Sequence, residues 1–102
     1  MRLTQAQREI VLSSVHELAG KATQVRVFGS RLDDSRRGGD LDLLLISEVP
    51  IPLLIRAELK QTLEARLQLP VDIVNYAQDA EPTPFQAIAM HQSLALDIED
   101  AA

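Results

Sequence analysis

The stretch Gly38-Gly39-Asp40-Leu41-Asp42-Leu43-Leu44-Leu45-Ile46 decides how this chain reads. After Asp42 every residue of it is apolar, without the polar alternation of a half-exposed strand. The pattern predicts a central strand over 40–46, covered on both sides. Asp40 and Asp42 are two residues apart, and strand side chains alternate between faces, so both carboxylates leave the same face at the strand's first residues. Carboxylates held that close repel, and one pKa rises unless a cation sits between them. With oxygen ligands only, Mg²⁺ or Mn²⁺ is the natural guest. Acidic pairs at strand ends are also commonly just solvated, and the pair by itself leaves both readings open.

On the N-terminal side, Val25-Arg26-Val27-Phe28 is short, β-branched and closed by Gly29, a strand running into a turn. A strand, a glycine that admits a close backbone approach and the Ser30 hydroxyl together make a small phosphate cradle; an ordinary turn capped by Ser30 is the other reading. The polar segment 30–39, with Asp33, Asp34, Arg36 and Arg37, links this turn to the aspartates. Earlier still, Thr4 and Gln7 have the spacing of a helix-capping box. Leu3, Ile10, Val11, Val15 and Leu18 recur at helical period before Gly20, which predicts an amphipathic helix over 4–19.

On the C-terminal side, Pro50 and Pro52 end the strand and introduce a helix in which Ile55, Leu59, Leu63 and Leu67 fall four apart. Val71-Asp72-Ile73-Val74-Asn75-Tyr76 then reads as a third strand, with its charge at Asp72. An unpaired carboxylate buried in such a strand costs several kcal/mol, so Asp72 calls for a partner. If the two strands are neighbours, Asp72 faces Asp40 and Asp42 and completes a three-carboxylate site; an arginine partner or a strand-end position is the alternative. Pro82 and Pro84 lead into a last helix near 84–92, and Leu94-Ala95-Leu96 can add an edge strand. The order is α-β-β-α-β-α, a mixed α/β chain.

The 102 residues suit one domain over 1–102, and a chain of this size buries roughly 60 to 65% of its unfolded surface. Phe28, Tyr76 and Phe85 are the only aromatic residues, too few for a row of base-stacking platforms. A net charge of −5 opposes general attraction to a polyphosphate backbone, so no direct nucleic-acid binding is expected. The absence of cysteine excludes disulfides, thiolate metal sites and a cysteine nucleophile, and suits the cytosol. No apolar run approaches the roughly 18 residues of a membrane span, so a cytoplasmic protein without membrane contact is expected. His16 and His91 fall on predicted helices and are expected on their surfaces, outside the site.

Val27-Phe28-Gly29-Ser30-Arg31, Gly39-Asp40-Leu41-Asp42-Leu43-Leu44 and Val71-Asp72-Ile73-Val74, taken together, resemble the nucleotidyltransferases of the DNA polymerase beta superfamily. Among these the chain is most similar to the minimal nucleotidyltransferases (MNT). The resemblance implies a polymerase beta-like fold, a small mixed sheet of three to four strands with helices packed on it. It implies that Gly29, Ser30 and Arg31 hold the triphosphate of ATP, that Asp40 and Asp42 bind two Mg²⁺ ions (or Mn²⁺), and that Asp72 completes the metal site and helps activate the attacking hydroxyl. It further implies an antitoxin that transfers AMP from ATP to a tyrosine of a HEPN ribonuclease toxin, in a hetero-oligomer or with self-association. Two other roles fit the same residues: a catalytically weak or inactive antitoxin that neutralises the toxin by binding alone, and nucleotidyl transfer to a small molecule. The loop departs from the family pattern, because Arg31 is followed by Leu32-Asp33-Asp34-Ser35; these two negative charges weaken the hold on a triphosphate unless Arg31, Arg36 or Arg37 offsets them.

Overall fold

Two of the three helices among the described residues begin on a short polar signal. The computed structural model describes residues 3–28, 40–78 and 80–96. Thr4 Oγ1 accepts a hydrogen bond from the Gln7 amide at 3.0 Å and Gln7 Oε1 accepts one from the Thr4 amide at 2.9 Å, which satisfies two orphan donors and starts α1 (Gln5–Ala19). Gly20 ends it at φ 101°, a conformation that a side chain would strain. The chain then forms β1 (Gln24–Phe28), β2 (Leu41–Ser47) and α2 (Leu53–Leu67). Pro52 caps α2, whose Leu59, Leu63 and Leu67 are buried along one side with Ile55 half-buried behind them. β3 (Val71–Ala77), α3 (Pro84–His91) and β4 (Leu94–Ala95) follow. Thr83 and Gln86 repeat the capping box at α3, with Pro84 in the first turn.

The sheet order is β3-β2-β1-β4, with β2 and β3 parallel and the other pairs antiparallel. The parallel pair is joined through α2, the crossover that parallel neighbours require. Leu41, Leu43 and Leu45 of β2 face a core shared with Val11 and Val15 of α1 and with Leu59 and Leu63 of α2. Leu44 and Ile46 face the other way, toward Ala89 of α3, with Phe28, Val74, Tyr76 and Met90 around them. The expected strand covered on both sides is therefore present, and only Asp42 interrupts its burial. It starts one residue later than the pattern predicts: Asp40 lies just before Leu41, whose amide donates to the Pro70 carbonyl at 3.0 Å. No helix among the described residues is long and apolar enough to cross a membrane.

Candidate active site

Asp42 shares the parity of Leu44 and Ile46, so its side chain leaves β2 on the α3 side of the sheet. On one flank it stands opposite Phe28, the last residue of β1, and on the other it is in parallel register with Asp72. Residues in register in adjacent strands project to the same face, so the two carboxylates are neighbours, with Asp40 just upstream. The electrostatics bear this out: partial burial raises the Asp42 pKa above the usual 3.8, and the charges of Asp72 and then Asp40 raise it further.

Asp72 is not a buried charge. β3 is an edge strand and the Asp72 side chain is 59% exposed, so the desolvation cost expected of it is not incurred. Its neighbour is a lysine: Lys60 Nζ, reaching round the sheet edge from α2, lies 3.7 Å from Asp72 Oδ1. The same ammonium donates to Glu64 Oε2 at 3.1 Å and to the Val71 carbonyl, while Glu64 Oε2 accepts from the Val71 amide at 2.9 Å. That amide bond and Lys60 together hold the Glu64 carboxyl below its usual range. With Asp72 beside Lys60, no three Asp, Glu, His or Cys side chains among the described residues are grouped tightly enough to hold one ion as they stand. Register places Asp42 and Asp72 side by side on adjacent strands.

Gly29, Ser30 and Arg31 lie outside the described residues, as do Asp33, Asp34, Arg36 and Arg37. The chain enters that segment from Phe28, beside Asp42, and leaves it at Asp40. Phe28 meets the Phe85 ring edge-on at a centroid distance of 6.1 Å, an aromatic pair beside the carboxylates that single-residue patterns do not reveal. Lys60 and Glu64 also escape the linear reading; their four-residue spacing marks a helix-surface pair but not its reach to β3. His91 is exposed on α3, and His16 lines a cavity of about 830 Å³ with Ile10, Thr23 and Val25, on the α1 side of the sheet. The carboxylates occupy the other face. A smaller groove of about 300 Å³ along the β3 edge, lined by Leu53, Arg56, Lys60 and Ile73, does reach Asp72.

Comparison with curated proteins finds no match. Among solved structures, a minimal nucleotidyltransferase is 31% identical, with 91% of this chain and 96% of that one covered at a TM-score of 0.65. A chain from the complex of tri-AMPylated Shewanella oneidensis HEPN toxin with MNT antitoxin has the same fold at 21% identity, covering 93% of this chain and 72% of that one with a TM-score of 0.72. A toxin-antitoxin structure with AMP-PNP is similar at 21% identity, 93% and 73% coverage and a TM-score of 0.71. The family described as nucleotidyltransferase domain matches residues 8–97, the span that carries the whole sheet and the three aspartates. With that match over most of its length, the chain belongs to the nucleotidyltransferase domain family, and within it resembles the minimal nucleotidyltransferases.

Proposed function

We propose that this nucleotidyltransferase transfers AMP from ATP to a tyrosine of a HEPN toxin, and acts as that toxin's antitoxin. The observation that carries the reading is the register of Asp42 with Asp72 beside the end of β1. The similarity to structures of an AMPylated HEPN toxin with MNT antitoxin, and of a toxin-antitoxin pair with AMP-PNP, supports the choice of nucleotide and partner.

The donor chemistry fits a hard divalent cation, because the side chains are carboxylates and ionised Asp42 is disfavoured by partial burial and then by the like charges of Asp72 and Asp40, which such a cation would offset. Asp40, Asp42 and Asp72 would hold two Mg²⁺ or Mn²⁺ ions, and these would supply charge neutralisation on the phosphates and a lowered pKa for the attacking hydroxyl. Gly29, Ser30 and Arg31 are assigned to the triphosphate. In the transfer, the tyrosine oxygen forms a bond to the α-phosphorus, the bond to the pyrophosphate oxygen breaks, and the hydroxyl proton passes to the Asp72 carboxylate. Exposure of Asp72 at the sheet edge leaves that carboxylate accessible to a protein acceptor. Phe85 and Ile88 of α3, 58% and 56% exposed, offer an apolar surface for the partner on the same side of the sheet.

Intact mass of a cognate HEPN protein, incubated with the chain, ATP and Mg²⁺, tests the reading. One or more added AMP units with wild type and none with Asp72→Asn, at equal recovery in a pull-down, is the expected result. No added mass from wild type with tight binding retained would replace catalysis by masking alone.

A further inference from the structure

We propose that Lys60 is a positioning residue, the resident counter-cation of Asp72: it holds that carboxylate in the metal-free chain and its charge limits how tightly a divalent ion binds there. The inference deepens the reading of Asp40, Asp42 and Asp72 as metal ligands and rests on it.

Lys60 is anchored more firmly than a surface lysine usually is. Two of its three ammonium hydrogens are taken by the Val71 carbonyl and by Glu64, itself bonded to the Val71 amide. The ammonium is thus clipped to the residue that precedes Asp72. Its 3.7 Å separation from Asp72 Oδ1 is an ion pair and too long for a hydrogen bond. The contact to Asp72 is the weakest of the three, so it yields first. When Asp72 rotates toward Asp42, Lys60 keeps both anchors and stays where it is.

That arrangement has two opposite consequences. Without metal, the positive charge attracts the Asp72 carboxylate, which stands beside Asp42 in register. With metal, the same charge opposes the incoming cation. A fixed ammonium beside one of the ligands lowers the affinity for a 2+ ion several-fold at low salt, and less as salt screens the repulsion. A lysine placed only to fasten α2 to β3 would affect stability and leave ion affinity unchanged.

The test is calorimetric titration with MnCl₂, paired with urea unfolding in EDTA. Lys60→Met should bind Mn²⁺ several-fold more tightly at low salt, with the gap narrowing as NaCl is added, while its metal-free urea midpoint falls. Lys60→Arg, which keeps the charge, should return both values toward wild type. If Lys60→Met does not fold, Lys60→Gln retains a donor for the Val71 carbonyl and should show the same tightening. Unchanged or weaker Mn²⁺ affinity in the neutral variants overturns the role of Lys60; if wild type still binds Mn²⁺ and Asp42→Asn does not, the metal site itself stands. Wild type that takes up no Mn²⁺ overturns both.

Discussion

Asp42 is the residue where fold and chemistry oppose each other most directly. It interrupts an otherwise buried strand, and both burial and neighbouring carboxylates disfavour its ionised form. A raised folded-state pKa means that ionised Asp42 destabilises the fold above that pKa and that the penalty disappears once pH falls below the usual 3.8. Asp42→Asn in EDTA should therefore be neutral or stabilising at pH 7. Its advantage over wild type should vanish near pH 4, read as the difference in urea midpoints. Glu64 has the opposite sign. Its folded pKa is lowered, so its contribution is present above the usual 4.5 and is lost as pH falls through the folded value. The gap between wild type and Glu64→Gln should accordingly be widest at neutral pH and close on acidification in the same unfolding assay.

At the scale of elements, polar side chains hold together segments that the apolar pattern leaves loose. Asn75 of β3 donates to the Leu45 carbonyl and to Ser47 Oγ, each at 3.0 Å, and accepts from the Ile51 amide at 2.8 Å. It thereby joins the end of β2 to the turn that launches α2. Replacing it leaves the half-buried Ile51 amide connection without its acceptor, so Asn75→Ala should cost about 2 to 3 kcal/mol by urea denaturation, against less than about 0.5 kcal/mol for the exposed Gln92→Ala. At the other side of the sheet, Arg26 Nε donates to Ser93 Oγ at 2.5 Å and Arg26 Nη2 to the Ser93 carbonyl at 2.9 Å, which fixes the passage from α3 into β4. The edge of β3 is also partly closed: Lys60 and Glu64 occupy both backbone groups of Val71, and Gln86 Nε2 donates to the Asn75 carbonyl at 3.0 Å. Such covering limits strand-to-strand association at an open edge.

For the molecule as a whole, the two faces of the sheet are covered unequally. α1 and α2 cover the first with an aliphatic core, while α3 only partly covers the second and leaves the carboxylates at its margin. An exposed apolar surface beside a site is where a protein partner gains most from desolvation. Ile88 is the residue to test, because Phe85 also packs on Phe28. Ile88→Asp should weaken binding to the proposed HEPN partner at least about tenfold in calorimetry, while the melting temperature of the isolated chain stays within about 2 °C of wild type.

Local physics in the sequence alone determined the elements of this protein and the place of its acidic motif. Capping boxes, the prolines and the leucine spacing of α2 act within a few residues, so Thr4, Pro52 and the Leu59-Leu63-Leu67 row mark the helices before any tertiary contact is known. The unbroken apolar run after Asp42 likewise marks β2 as a central strand, since only a segment buried on both faces can dispense with alternation. Tertiary structure alone decided which charges meet. Whether Asp42 faces Asp72 depends on a parallel register set by the crossover through α2, and a slip of one residue would turn Asp72 to the other face. The edge position of β3, which leaves Asp72 exposed and brings Lys60 round to it, follows from strand order, and strand order has no local signature. Asn75 looked like any polar residue in a strand because its three partners lie 24 to 30 positions away, joined to it only by the fold.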